Sequence, residues 1–85
     1  LRQALELQPE DYETLRLLGI ASGISGDNTN AIGYFTRATE VEPENAQAWW
    51  NLGNAWYHAG DVQKQQAMHD QARQLDPDIG LKQQQ

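Results

Sequence analysis

The sequence predicts an all-α fold made of repeated helix pairs, and two observations carry this prediction. The first is the spacing of the prolines: Pro9, Pro43 and Pro77 follow one another at 34 residues in a chain of 85 residues. The second is that residues 12–45 align with residues 46–79 without a gap. Seven positions are then identical, at Leu18/Leu52, Gly19/Gly53, Ala21/Ala55, Gly26/Gly60, Asp27/Asp61, Ala38/Ala72 and Pro43/Pro77. Self-similarity at a fixed period of this size is typical of helical repeat arrays.

The period divides the chain into four segments. Residues 1–11 match the end of the repeat that follows them and are expected to be the second helix of a truncated repeat. Residues 12–45 and 46–79 are expected to form two complete repeats, and residues 80–85 a tail or the start of a further helix. Because the chain starts at Leu1 and not at a Met, we expect it to be a piece of a longer protein.

The residues that recur at the repeat junctions predict where helices begin and end. Glycine takes the left-handed conformation that closes a helix, and aspartate accepts hydrogen bonds from the free amides of the next one. Gly26-Asp27 and Gly60-Asp61 therefore each mark a junction. A proline cannot donate the bond that would continue a helix, so each proline marks the end of a second helix. Helices are predicted near residues 1–8, 12–25, 28–42, 46–59 and 62–76.

Apolar residues at helical spacing predict the buried face of the first helix of each repeat. The expected buried positions are Leu15, Leu18 and Ser22 in the first complete repeat, and Trp49, Leu52 and Trp56 in the second. Gly19 and Gly53 lie inside these helices, where glycine costs about 1 kcal/mol relative to alanine. Since they recur at the same register, we expect a neighbouring helix to pass too close to them for a β-carbon.

The second complete repeat carries the pattern of a known family. Its residues at the characteristic positions are Trp49, Leu52, Gly53, Trp56, Gly60, Asp61 and Pro77. In this pattern, and in its period, the chain resembles the tetratricopeptide repeat family over nearly its whole length. The resemblance implies antiparallel helix pairs stacked in a right-handed superhelical solenoid. It also implies a concave groove, lined by the first helix of each repeat, in which partner proteins commonly lie.

Composition narrows the classes of function. The formal net charge of −6 argues against a nucleic-acid surface, which needs a basic patch, and against binding to an anionic membrane. No apolar run approaches the roughly 20 residues that span a bilayer. The lack of cysteine excludes thiol catalysis, disulfides and thiolate metal sites. These observations do not decide the cellular compartment of the protein, and a cytoplasmic location is favoured.

The sequence offers little support for a catalytic or metal-binding site. His58 and His69 are the two histidines, and their separation matches no common local metal pattern. Residues 27–30 begin like a calcium loop, but Ala31 breaks the pattern, and helix capping explains Asp27 better. We therefore expect that the chain is not an enzyme and that it holds no metal or cofactor.

The candidate binding residues lie on the first helices, beside the packing positions. They are Trp50, Asn54, Tyr57 and His58 in the second complete repeat, and Arg16 and Ile20 at matching positions in the first. Gly23 and Ile24, which match Tyr57 and His58, continue the strip along the first repeat. Tryptophan and tyrosine offer apolar area with a polar tip, asparagine can pair with a peptide main chain, and arginine can hold a carboxylate. This strip is predicted to bind a protein or a peptide. Alternatively, Trp50 packs against a neighbouring repeat, and Asn54 and Tyr57 are ordinary residues for the family at these positions.

Several roles remain open on the sequence alone. The chain is expected to be a scaffold or adaptor segment for protein–protein interaction; the alternatives are a structural spacer or assembly surface with an empty groove, and an accessory domain of an enzyme. Some relatives in the family clamp the acidic tails of chaperones, but here Ile20 and Leu81 stand where asparagine and lysine would be needed. The exposed leucines expected in Leu1–Leu7 also predict a weak, concentration-dependent homodimer.

Overall fold

A computed structural model of the chain describes residues 11–83. Within this range the chain forms helices only: α1 (Tyr12–Ile24), α2 (Asn28–Val41), α3 (Ala46–His58), α4 (Val62–Leu75) and the short α5 (Ile79–Lys82). The all-α fold is confirmed, and the four long helices match the predicted ranges to within one residue at each end. The predicted helix at 1–8, and with it the dimer surface Leu1–Leu7, lies outside the described residues.

Each long helix begins at a side-chain cap. The capping carboxylates and the capping amide accept from main-chain amides of the first turn: Asp11 from Thr14 at 3.0 Å, Asp27 from Asn30 at 3.1 Å, Asn45 from Gln47 at 2.9 Å and Asp61 from Lys64 at 3.0 Å. A cap of this kind stabilises a helix by about 1 kcal/mol relative to alanine. The caps therefore set the starting residue of every long helix.

The first helix of each repeat, α1 in one and α3 in the other, is closed by a glycine in the left-handed conformation. Gly26 has a φ of 86° and Gly60 a φ of 93°. The main-chain amide of the aspartate after each glycine donates a hydrogen bond to a carbonyl in the last turn of the helix. Asp27 donates to the Ser22 carbonyl at 2.8 Å, and Asp61 donates to the Trp56 carbonyl at 2.9 Å. This paired closure is the Schellman motif, and it leads directly into the aspartate that caps the next helix.

The second helix of each repeat ends in front of a proline. Glu42 and Asp76 immediately precede Pro43 and Pro77, and they have φ values of −131° and −145°. The proline ring excludes the helical conformation from the residue before it, so α2 and α4 end one residue earlier than predicted.

Short turns make neighbouring helices antiparallel. Asn28, at the start of α2, donates from its side chain to the main-chain carbonyl of His58, at the end of α3, at 3.1 Å. The closest packing joins α1 to α2, α2 to α3, and α3 to α4. The short α5 packs on both α3 and α4, so the array continues past the second helix pair.

The core consists of two apolar clusters. The larger contains Ala31, Phe35, Leu52 and Ala55, with Ile32, Trp49, Trp56 and Met68 packed against it. The smaller contains Leu15, Ala38 and Ala48, with Tyr12 and Tyr34 packed against it. The predicted packing roles of Leu15, Trp49, Leu52 and Trp56 are thus confirmed. Leu18 and Ser22, predicted with them, are half-buried and belong to neither cluster. Because α2 contributes to both clusters, it links the two helix pairs.

Gly19 and Gly53 lie where a side chain of the following helix packs directly on the helix backbone. A β-carbon added to Gly19 would lie 2.5 Å from Cε1 of Phe35. One added to Gly53 would overlap the ring of His69 and lie 3.1 Å from the main-chain oxygen of Gln65. The prediction made for these two glycines is confirmed, with a ring from the following helix filling the space in both repeats.

Candidate binding groove

A groove of about 510 Å³ runs between α1 and α3, with α2 as its floor. We call it the α1–α3 groove. Its α1 wall includes Ile20, Gly23 and Ile24, and its α3 wall includes Asn51, Asn54 and His58. The floor includes Ala31 and Phe35 of the larger core cluster, so the base of the groove is part of the packed interior.

The α1 wall is apolar and open. Ile24 is 83% exposed and Ile20 is 38% exposed. Gly23 lies between them, and a β-carbon there would have no atom within 4 Å. Two branched side chains and an uncovered stretch of helix are therefore available to a molecule in the groove.

The α3 wall is polar, and its asparagines are held by internal hydrogen bonds. Oδ1 of Asn51 accepts from Nε2 of Gln47 at 2.9 Å, and Oε1 of Gln47 accepts from Nε2 of Gln83 at 2.8 Å. Oδ1 of Asn54 lies 3.2 Å from Nε2 of His69. These contacts restrict the orientation of both asparagine side chains.

Among the described residues 11–83, the α1–α3 groove is lined by uncharged side chains, by glycines and by the His58 ring. Arg16 lies one turn before Ile20 on α1, outside the lining, and forms an ion pair with Glu13 on its own helix. The Glu13 carboxylate raises the pKa of Arg16, and the Arg16 guanidinium lowers the pKa of Glu13. The part of the groove formed by the described residues therefore lacks a carboxylate, ammonium or guanidinium group with which to recognise a charged ligand.

Three of the six predicted binding residues meet in this groove. Ile20, Asn54 and His58 line it, whereas Arg16, Trp50 and Tyr57 lie outside its lining. Tyr57 is 53% exposed, and its ring meets the edge of the His58 ring with 5.6 Å between centroids. Tyr57 thus contacts a lining residue without lining the groove itself.

Trp50 packs within the molecule. Its ring stacks on that of His69 with 3.7 Å between centroids and an interplanar angle of 3°. The guanidinium carbon of Arg73 is 5.5 Å from the Trp50 ring centroid, and a β-carbon on Gly80 would be 3.5 Å from Cη2 of Trp50. Trp50 therefore joins α3, α4 and α5.

His69 connects this stack to the groove. It occupies the position that Phe35 holds in the preceding repeat, and it is 8% exposed. Burial lowers the pKa of His69 below its ordinary value; the nearby Trp50 carbonyl acts in the opposite direction, and Arg73 lowers the pKa further. A mainly neutral ring at neutral pH thus packs on Trp50 while it contacts Asn54.

Gly23 and Ile24, which belong to the predicted strip, also line the groove, whereas the strip misses Asn51 as a lining residue. A signal for Asn51 was present, because Asn51, Asn54 and His58 are spaced at i, i+3 and i+7 on one helix face. The rotation of α3 about its axis brings Asn51 into the groove and turns Trp50 toward α4.

No three histidine, cysteine, aspartate or glutamate side chains within residues 11–83 are arranged to share a metal ion. The longest helices of this range are too short and too polar to cross a bilayer.

Comparison with known proteins identifies the family. A sequence profile described as tetratricopeptide repeat matches residues 25–78. Protein CTR9 homolog of Arabidopsis thaliana is 39% identical over 51 residues, which cover 60% of this chain and 5% of that protein. Protein O-mannosyl-transferase TMTC1 of Homo sapiens is 30% identical over 83 residues, covering 93% of this chain and 9% of that protein. DnaJ homolog subfamily C member 7 homolog of Schizosaccharomyces pombe is 30% identical over 86 residues, covering 87% and 18%.

This chain spans less than a fifth of the length of each of these relatives. One of them is a transferase by name. Tetratricopeptide repeats themselves generally mediate protein–protein interaction and are not catalytic. Because the matching profile covers more than half of its residues, the chain belongs to the tetratricopeptide repeat family.

Proposed function

We propose that this chain is a protein-interaction module that binds a peptide, or a segment of a partner protein, in the α1–α3 groove. The observation that carries the proposal is the groove itself, a space of about 510 Å³ between α1 and α3 with a packed floor formed by α2. Ligand sites in proteins are concave, largely pre-formed and mostly apolar, with a few polar groups that orient the ligand. Ile20 and Ile24 on one wall, and Asn51 and Asn54 on the other, match that description.

The exposed isoleucines supply a driving force for binding. Fully burying an isoleucine side chain contributes about 1.5–3 kcal/mol. Ile24 is 83% exposed, so most of this contribution is still available at that residue. Because the walls are helices held by the core clusters, little ordering of the protein would oppose binding.

A spacer with an empty groove is the second candidate function, and the packing of Trp50 favours it. The largest side chain in the predicted binding strip is stacked on His69 and packed near Gly80. It therefore serves to join helices, as it would in an array whose only task is to hold other domains apart.

Peptide selection distinguishes the two functions. Random peptides displayed on phage would be selected against the immobilised chain, and the selected peptides synthesised and titrated by calorimetry. We expect Ile24→Asp to abolish binding, because it places a charge on the apolar wall. Val62→Asp is the matched control: Val62 is 48% exposed on α4, outside the groove lining.

Circular dichroism should show that both variants keep the helical content of the parent chain. Equal binding by the two variants would show that the peptides use another surface. A selection that yields no binding peptide would favour the spacer.

A further inference from the structure

His69 stands at a position that is apolar in the preceding repeat. Its counterpart there is Phe35, whose ring fills the space beside Gly19 as the His69 ring fills the space beside Gly53. A histidine at this position can take up a proton between about pH 5 and pH 8. The second repeat therefore keeps an aromatic ring at the contact between its two helices and adds a group that titrates.

The neutral ring is held by three contacts with α3. One face stacks on Trp50, with 3.7 Å between centroids and an interplanar angle of 3°. The ring edge lies against the backbone at Gly53, where an added β-carbon would overlap it. Nε2 lies 3.2 Å from Oδ1 of Asn54, an oxygen that can only accept, so the hydrogen of the neutral ring is on Nε2. Protonation therefore adds the second hydrogen at Nδ1.

The surroundings of the ring oppose a positive charge. His69 is 8% exposed, and this burial is the main cause that lowers its pKa. A backbone carbonyl of α3 raises the pKa, the Arg73 guanidinium lowers it, and the Asp70 carboxylate raises it. α3 contains no aspartate, glutamate, lysine or arginine, and Lys82 of α5 is paired with Asp76. The packed position therefore suits a neutral ring.

The ring also borders a polar depression on the surface of α4. This depression has a volume of about 360 Å³ and is lined by Gln65, Gln66, His69, Asp70 and Arg73. In the preceding repeat the residue equivalent to Gln65 is Ala31, which packs with Phe35 and with side chains of α3 in the larger core cluster. The depression offers a protonated ring water and the Asp70 carboxylate, which the stack on Trp50 does not.

We infer that His69 is a pH-sensitive switch whose ring has two positions. The neutral ring stacks on Trp50 and donates to Asn54, whereas the protonated ring leaves the stack and enters the polar depression on α4. A buried ring that gains a charge is stabilised by moving to a place where it can be hydrated. The inference goes beyond the proposed function, because it concerns the protein without a ligand.

Movement of the ring changes both of its partners on α3. Trp50 loses the stacking contact that joins α3 to α4, and Oδ1 of Asn54 loses its hydrogen-bond donor. Asn54 lines the α1–α3 groove, so its amide group is no longer held in one orientation on the groove wall. Acidification thus loosens a contact between two helices and alters the groove, although His69 itself does not line it.

NMR spectroscopy of the ¹³C- and ¹⁵N-labelled chain, titrated from about pH 8 to pH 5, follows both ring positions. Because the neutral His69 ring lies parallel to Trp50, the tryptophan ring current should shift its carbon-bound protons upfield. We expect this upfield shift to be lost as the ring takes up its proton, with a midpoint below 6.5. The Trp50 indole NH and the Asn54 side-chain NH2 resonances should move with the same midpoint.

Two substitutions at His69 separate the switch from general effects of acid. His69→Phe keeps an aromatic ring, as in the preceding repeat, and His69→Gln keeps a donor for Asn54; neither new side chain takes up a proton in this range. Both should abolish the transitions of Trp50 and Asn54. His58→Gln removes the other histidine of the chain and should leave these transitions unchanged.

The same titration contains the results that would overturn the inference. An upfield shift that survives protonation would show that the charged ring stays on Trp50. Asn54 resonances that do not follow the titration of His69 would show that the groove wall is not coupled to it. Far-ultraviolet circular dichroism should stay constant, since a loss of helix with the same midpoint would mean that the chain unfolds and that no single ring moves. A failed peptide selection would leave all of these results unaffected.

Discussion

Replacing Gly53 by alanine should destabilise the protein, although alanine is the better helix former. The substitution has two opposing effects. Removing a glycine from a helix interior stabilises it by about 1 kcal/mol. The added methyl group, however, would overlap the His69 ring and lie 3.1 Å from the main-chain oxygen of Gln65.

The clash is difficult to relieve, because neither neighbour moves freely. The oxygen of Gln65 belongs to the backbone of α4, and the His69 ring is held between its stack on Trp50 and its contact with Asn54. Forcing an extra methyl group into a packed site costs about 1–3 kcal/mol. We therefore expect a net loss of up to roughly 2 kcal/mol, out of about 4–13 kcal/mol for a chain of this size.

Urea denaturation monitored by circular dichroism measures the effect, and Gly33→Ala is the matched control. Gly33 lies inside α2, and a β-carbon there would have no atom within 4 Å. Only the propensity effect acts at that position, so Gly33→Ala should stabilise the protein by about 0.5–1 kcal/mol. A Gly53→Ala variant as stable as Gly33→Ala would refute the close approach of α4 to α3.

Three further changes are predicted from the structure. Leu52→Ala should cost about 2–5 kcal/mol in urea denaturation, because Leu52 is 4% exposed in the larger core cluster; a smaller loss would mean that the site collapses around the cavity. Gly60→Ala should cost about 1–2 kcal/mol in the same assay, since the φ of 93° strains any residue with a β-carbon. Folding lowers the pKa of His69 from 6.5, so its unfolded form binds the proton at higher pH, and the free energy of unfolding should fall as pH drops below about 6.5. The variant His69→Phe, with the side chain that Phe35 provides in the preceding repeat, should lose that part of the pH dependence, and an unchanged profile would contradict the assignment.

The helix boundaries could be predicted from the sequence because their signals are local. A capping aspartate, a glycine with positive φ and a proline each act on residues within one turn, so Gly60, Asp61 and Pro77 suffice to place the ends of α3 and α4. The close approach at Gly19 and Gly53 was also predictable. A glycine that recurs inside a helix has a cost that calls for a compensating contact.

The groove was predicted less well because its lining depends on the rotation of each helix against its neighbours. A shift of one residue turns a helix by about 100°, which is enough to exchange Trp50 for Asn51 on the groove wall. The stack of Trp50 on His69 fixes that rotation. It joins residues on two different helices, and the spacing within either helix does not reveal it.

The participation of α2 in both core clusters has a consequence for how the chain can be divided. The sequence repeat places α1 with α2 and α3 with α4, yet the larger cluster is built across that boundary, from Ala31 and Phe35 of α2 and Leu52 and Ala55 of α3. A fragment cut at residue 45 would leave this apolar surface of α2 in water, so one isolated sequence repeat is not a cooperative folding unit. A segment that keeps α2 together with α3 preserves this cluster. Insertions or recombination breakpoints placed at the boundary between the two sequence repeats therefore separate residues that pack together.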